Sequence, residues 1–95
     1  MKGSLFSLGL CRFSDGVLEA IADAGERLDT FLGRHARGDW GLTSTSERSA
    51  NDRSILTGER ILSRYRTANG TSLWILTEGD RSKTTVFLIR EAKRR

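Results

Sequence analysis

Residues 60–78 read RILSRYRTANGTSLWILTE, two strand-length runs on either side of Ala68-Asn69-Gly70. Both runs are rich in β-branched, aromatic and leucine side chains, the composition of a half-buried strand. Asn-Gly between such runs is a strong hairpin signal, because a type I′ turn asks for positive φ at both central positions. With Asn69-Gly70 as a two-residue loop, Ala68 faces Thr71 and Tyr65 faces Trp74, a cross-strand aromatic pair worth up to about 1 kcal/mol over Ala–Ala. The run TTVFLI at 84–89 adds a third strand beyond the tight polar turn Gly79-Asp80-Arg81-Ser82-Lys83.

Upstream of the hairpin the period changes from two to that of a helix. Ser44-x-x-Glu47 is a capping box, with Ala50, Ile55 and Leu56 in the helix it starts and Gly58 placed to end it. Before it, Leu28, Phe31, Leu32 and His35 fall at i, i+3, i+4 and i+7, the apolar stripe of a second helix, with Arg34, His35 and Arg37 in the last turn and Gly38 as its cap. Asp15 to Ala24 places Val17, Leu18 and Ile21 on one face, after Ser14 as N-cap. The first residues, SLFSLGLCRF at 4–13, alternate with Phe6, Leu8 and Leu10 on one side and read as a strand. The order is β-α-α-α-β-β-β. It implies an α+β fold, a mainly antiparallel sheet with helices packed on one face, in a single domain over 1–95 with 90–95 as a basic, frayed tail.

Size and composition narrow the function. The chain has 95 residues, 37% hydrophobic and 29% charged, which suits one globular domain with a modest core. No apolar run approaches the roughly 20 residues of a membrane span. The N-terminal stretch is too short and too soon interrupted by Arg12 and Asp15 for a signal peptide, so a cytoplasmic setting is expected. Cys11 is the single cysteine, which excludes an internal disulfide and, with one His, a zinc site of two Cys and two His. It reads as a small core residue. The net charge of +4 is uneven: residues 1–40 hold 5 Lys/Arg against 6 Asp/Glu, and residues 41–95 hold 11 against 6. A basic C-terminal half suits an acidic partner, nucleic acid or an acidic protein surface, or is simply a solvated surface.

The blocks FLGRHARGDWG at 31–41 and ANDRSILTGERILSRYRTANGTSLWILTEGDRSKTT at 50–85 resemble a family of small proteins carried by plasmids, phages and integrative elements. Its members read FLxRHxxGDWG, ANDxAL, GxRILSxY and GTKLWIITEADRSxTT, ending LLPEEY. The resemblance covers nearly the whole chain and implies a mobile-element context without naming an activity. The chain departs from the pattern at Leu42, where an acidic residue is usual, at Gly79 in place of Ala, and at its basic end, LIREAKRR.

Several side chains are candidates for a site. His35 on the apolar face of its helix is either a satisfied buried histidine or, paired with Asp39 or Asp52, a general base for a small enzyme; no nucleophile with a sequence signature accompanies it, Ser63, Ser72, Ser82 and the threonines being candidates by abundance alone. Gly38, Trp40, Asn51 and Asp52 read as a structural loop and its braces: Trp40 in the core, and Asn51 and Asp52, poor helix-interior residues, spending side-chain hydrogen bonds on the Asp39-Trp40 loop. Asp39 caps the turn or pairs with Arg37. Arg37-Gly38-Asp39 matches a receptor-binding tripeptide, but the neighbouring Trp suggests burial rather than a mobile tip. Glu78 and Asp80 sit too close to Arg81 and Lys83 for a metal site and read as a salt-bridged turn, so no metal and no cofactor is expected. Arg60, Arg64 and Arg66 share one strand face. With Arg81, Lys83, Arg90, Lys93, Arg94 and Arg95 they offer a basic binding stripe for phosphates or an acidic protein. Neither a helix-turn-helix nor an RNP-type aromatic signature is present. The leading expectation is a non-catalytic binding protein that docks on a host protein complex, in the manner of anti-CRISPR or anti-restriction inhibitors. A nucleic-acid-binding accessory protein comes second and an enzyme centred on His35 and Asp39 third.

Overall fold

The computed structural model of the chain describes residues 3–89. Their order is β1 (Leu10–Phe13), α1 (Asp15–Asp23), α2 (Leu28–Ala36), α3 (Thr45–Thr57), β2 (Ile61–Arg66), β3 (Ser72–Thr77) and β4 (Lys83–Leu88). The strands form one sheet in the order β1-β4-β3-β2, with β1 parallel to β4 and the two hairpin pairs antiparallel. This is the α+β arrangement that the sequence predicts.

The inner face of the sheet carries the core. Tyr65, Leu73, Ile75, Val86 and Leu88 pack against Val17 and Ile21 of α1 and Phe31 of α2. A second cluster joins Phe6, Trp40 and Ile61, with Leu8 and Ile55 against it. The helix ends follow local chemistry. The Ser14 side chain accepts from Val17 N–H, and Ser44 and Glu47 form the expected capping box. At the end of α2, Gly38 N–H donates to His35 O and Asp39 N–H to Arg34 O, the two bonds of a Schellman motif.

Three sequence expectations need correction. The first strand does not run through 4–13. It begins at Leu10, because the backbone turns at Gly9 (φ 64°) and Leu5 N–H is drawn to Ala36 O at the end of α2. Phe6 therefore enters the core while Leu10 stays 66% exposed. In α1, Val17 and Ile21 are buried but Leu18 faces out.

The third correction matters most. The hairpin loop has three residues, not two: Thr67 N–H donates to Thr71 O at 2.8 Å, and Gly70 N–H donates to Thr67 O at 2.9 Å. Gly70 takes φ 91°, so the loop is a tight turn closed by a left-handed residue, as in the bulged three-residue hairpin. The Thr67 hydroxyl holds it, donating to Asn69 Oδ1 and accepting from Thr71 N–H. The register therefore pairs Tyr65 with Leu73 and Arg64 with Trp74. A one-residue step moves a side chain to the other face of a sheet. Tyr65 goes inward and Trp74 goes outward.

Candidate functional site

The outer face of the sheet is read from this register. It carries Leu62, Arg64 and Arg66 on β2, Ser72, Trp74 and Leu76 on β3, Lys83, Thr85 and Phe87 on β4, and Leu10 and Arg12 on β1. Four of these, Arg12, Arg64, Arg66 and Lys83, are cations, and none is a carboxylate. No residue of this face belongs to either core cluster, and Leu62, Trp74, Leu76 and Phe87 remain half-buried. They line, with Arg60, a shallow cleft of about 160 Å³. Trp74 and Phe87 are cross-strand partners whose rings meet edge to face with centroids 5.5 Å apart. The Arg64 guanidinium lies over the Trp74 ring, 5.1 Å from its centroid, and pairs with Glu47 Oε2 of α3 at 3.0 Å. Arg64 Nε and Trp74 Nε1 find no acceptor among the described residues. Arg66 is also shared with a second cleft of about 350 Å³, lined by Arg34, Gly41, Leu42, Tyr65 and Thr67.

His35 lies on the other side of the sheet and is 0% exposed. Its Nδ1 meets Ser63 Oγ at 2.5 Å and its Nε2 meets Thr77 Oγ1 at 2.9 Å. The chain continues from Thr77 Oγ1 to Thr84 Oγ1 at 2.7 Å, and Thr84 donates to Leu8 O at 2.7 Å. A carbonyl only accepts, so Thr84 spends its proton on Leu8 and takes one from Thr77. Thr77 in turn takes a proton from His35 Nε2–H, and Ser63 donates to Nδ1. The wire fixes a neutral Nε2–H imidazole with both nitrogens occupied. Burial pushes its pKa down from 6.5 to about 4. His35 is thus the polar pin between α2, the sheet and the N-terminal segment, with Phe6 and Trp40 edge-on to its ring.

Asp39 does not face His35. Its carboxylate takes a bond from Arg34 Nε at 2.8 Å, a correction to the expected Arg37 pairing, and another from Gly41 N–H at 3.3 Å. Hydrogen bonding to Arg34 holds the Asp39 carboxyl below its ordinary value. The Asp39 backbone carbonyl accepts from the buried Tyr65 hydroxyl at 2.5 Å, and burial pushes that phenol up to about 12. Arg37-Gly38-Asp39 is therefore a pinned helix terminus.

Trp40 and the two odd residues of α3 protect a sheet edge. Trp40 is 5% exposed, and its Nε1–H donates to Asp52 Oδ1 at 3.1 Å. Asn51 acts like a strand residue: its amide donates to Leu62 O at 2.8 Å and accepts from Leu62 N–H at 3.1 Å. Two residues on, Arg64 N–H donates to Trp40 O and Leu42 N–H donates to Arg64 O. β2 is the last strand of the sheet, and these four bonds occupy the outward backbone groups of Leu62 and Arg64, covering most of an edge that otherwise invites pairing with another chain. Gly41 is required there, since a Cβ would sit 2.0 Å from Arg64 O.

The β3–β4 turn is held differently from the expected salt bridges. Arg81, with φ 62°, donates to the carbonyls of Ser54, Glu59 and Glu78, and Asp80 accepts from Ser82 N–H. No ion pair joins Glu78, Asp80, Arg81 and Lys83 among the described residues. Arg81 is spent on main-chain carbonyls, with its guanidinium near the Phe6 ring, away from the outer face. No acidic, His or Cys cluster of metal-binding geometry occurs among the described residues. Cys11 is partly buried, and burial raises its pKa. Arg90, Lys93, Arg94 and Arg95 lie outside the described residues. No helix of the described residues is long and apolar enough to cross a membrane.

The structure thus brings Arg64, Arg66 and Lys83 to one face and does not bring His35 to Asp39. The residues missed as part of a site are Trp74 and Phe87. Their signal was even spacing with Arg64 and Lys83, which becomes legible only with the correct loop length. Comparison of the chain with protein-family models, curated proteins and solved structures finds no match.

Proposed function

We propose that the chain is a non-catalytic binding module that docks on an anionic macromolecule through the outer face of its sheet. The observation that carries this reading is an uncovered sheet face whose strands bring together four cations and a cluster of half-buried apolar side chains, with Glu47 of α3 reaching Arg64 from its edge. Cations on such a face attract an anionic partner, and the apolar cluster rewards contact by excluding water. A catalytic reading draws no comparable support, because both nitrogens of His35 are occupied and water does not reach them.

The mobile-element setting implied by the sequence resemblance fits a small protein that acts by occupying its target. Within that setting the target we propose is a host defence complex that handles nucleic acid, inhibited by docking as anti-CRISPR and anti-restriction proteins do.

Salt elution from immobilised heparin tests the use of this face. The Arg64→Glu/Arg66→Glu variant is expected to elute at much lower salt than Arg37→Glu/Arg53→Glu, which removes the same charge elsewhere. Equal shifts for the two pairs would reduce the effect to net charge and contradict the proposal.

A further inference from the structure

Resting on that docking reading, we infer that what this face grips is the single-stranded nucleic acid such a complex handles, its bases against the Trp74–Phe87 pair and its phosphates held by Arg64 and Arg66 on one side and Lys83 on the other. The two rings sit at the middle of the face, on neighbouring strands β3 and β4. Arg64 is the cross-strand partner of Trp74, with Arg66 two residues further along β2. Lys83 lies on β4 itself, four residues before Phe87 and so roughly 13 Å from it along the strand, while Arg64 and Arg66 flank the pair from β2. An aromatic platform between two cationic flanks fits an extended strand whose bases are unstacked and whose backbone runs beside them.

Duplex fits poorly, since its bases are stacked on one another and offer the two rings nothing to pack against. An acidic peptide would engage the cations but leave the rings unused. The aromatic contacts read no base identity, so binding tolerates many sequences.

One residue opposes this ligand. Glu47 Oε2 holds the Arg64 guanidinium at 3.0 Å and competes with phosphate for it. Glu47→Gln removes that charge while keeping an oxygen for the capping box, which accepts Gln as well as Glu.

Fluorescence anisotropy with a labelled 12-mer of thymidylate, and with the same 12-mer annealed to its complement, tests the inference at low salt. The single strand is expected to bind roughly tenfold or more tighter than the duplex. Trp74→Leu is expected to weaken it by about tenfold, the loss of one base stack. Glu47→Gln is expected to tighten it, and Arg66→Glu to weaken it and flatten its salt dependence. Far-UV circular dichroism of each variant keeps a folding defect from passing as lost binding. Equal affinity for single strand and duplex, or no effect of a folded Trp74→Leu, would overturn the stacking inference while leaving the docking reading in place if the heparin difference holds. Displacement of the 12-mer by polyglutamate at equal charge concentration would overturn nucleic acid in favour of an acidic protein. No binding to any of these polymers, with no heparin difference, would sink both.

Discussion

Arg64 stands over Trp74 across the β2–β3 hairpin, its guanidinium carbon 5.1 Å from the ring centroid, because a three-residue loop makes these two residues partners. An arginine held over an indole at a half-exposed site contributes about 0.5–1 kcal/mol. A double-mutant cycle of Arg64→Ala and Trp74→Leu in urea unfolding is therefore expected to show a coupling of that size. The cycle of Tyr65→Phe and Trp74→Leu is expected to show almost none, since Tyr65 and Trp74 lie on opposite faces. The reverse result would mean a two-residue loop.

His35 gives the fold a pH dependence with a definite sign. Its pKa is 6.5 in an ordinary setting and about 4 in the fold, because burial disfavours the imidazolium. Below pH 6.5 the unfolded chain binds a proton that the folded chain refuses. Stability from this group is thus complete above pH 6.5 and falls as pH drops toward 4, by about 3 kcal/mol in all. Asp39, held below its ordinary 3.8, loses its contribution only at lower pH. Urea midpoints are expected to hold between pH 7.5 and 6.5 and to fall from there to pH 4.5 for the native chain, and to change much less for His35→Gln. A His35 ring that titrates near its ordinary value by NMR would contradict the buried wire.

Asn51 is expected to be costly to replace although it sits in a helix. Asn51→Ala strips Leu62 N–H and O of their partners at the sheet edge. Leaving such groups unpaired costs about 1–3 kcal/mol. Urea unfolding measures that loss, and light scattering of the variant is expected to rise as the β2 edge opens. A variant as stable and as monodisperse as the native chain would show that water replaces the Asn51 bonds at no cost.

Much of this was legible in the sequence because it is local. The Ser44/Glu47 capping box, the Gly38 terminus of α2 and the three-strand meander follow from spacing within a few residues. The poor helix propensity of Asn51 and Asp52 suggests side-chain bonds to the Asp39-Trp40 loop; Asp52 makes one to Trp40, whereas Asn51 bonds Leu62 of β2 instead. What was hidden depends on a loop closing around one extra residue and on contacts between distant segments. Asn69-Gly70 fits both a two-residue and a three-residue hairpin; the Thr67 hydroxyl and Gly70 favour the longer one, and the choice moves Trp74 from the inner face to the outer. Four residues of separation suggest a pairing between His35 and Asp39. Ser63 and Thr77, which occupy the histidine instead, come from strands 28 and 42 residues away. Alternation in residues 4–13 suggested a strand, but Leu5 is bonded to the end of α2, a contact with no local signature.

The most direct test of the central claim is a ¹H–¹⁵N NMR titration of the native chain with the thymidylate 12-mer. The account predicts that the largest shift changes fall on residues of the outer face, above all the Trp74 indole N–H, Arg64, Arg66 and Phe87, while the Trp40 indole stays in place. Changes concentrated on α1 or α3, with the Trp74 indole unmoved, would contradict it.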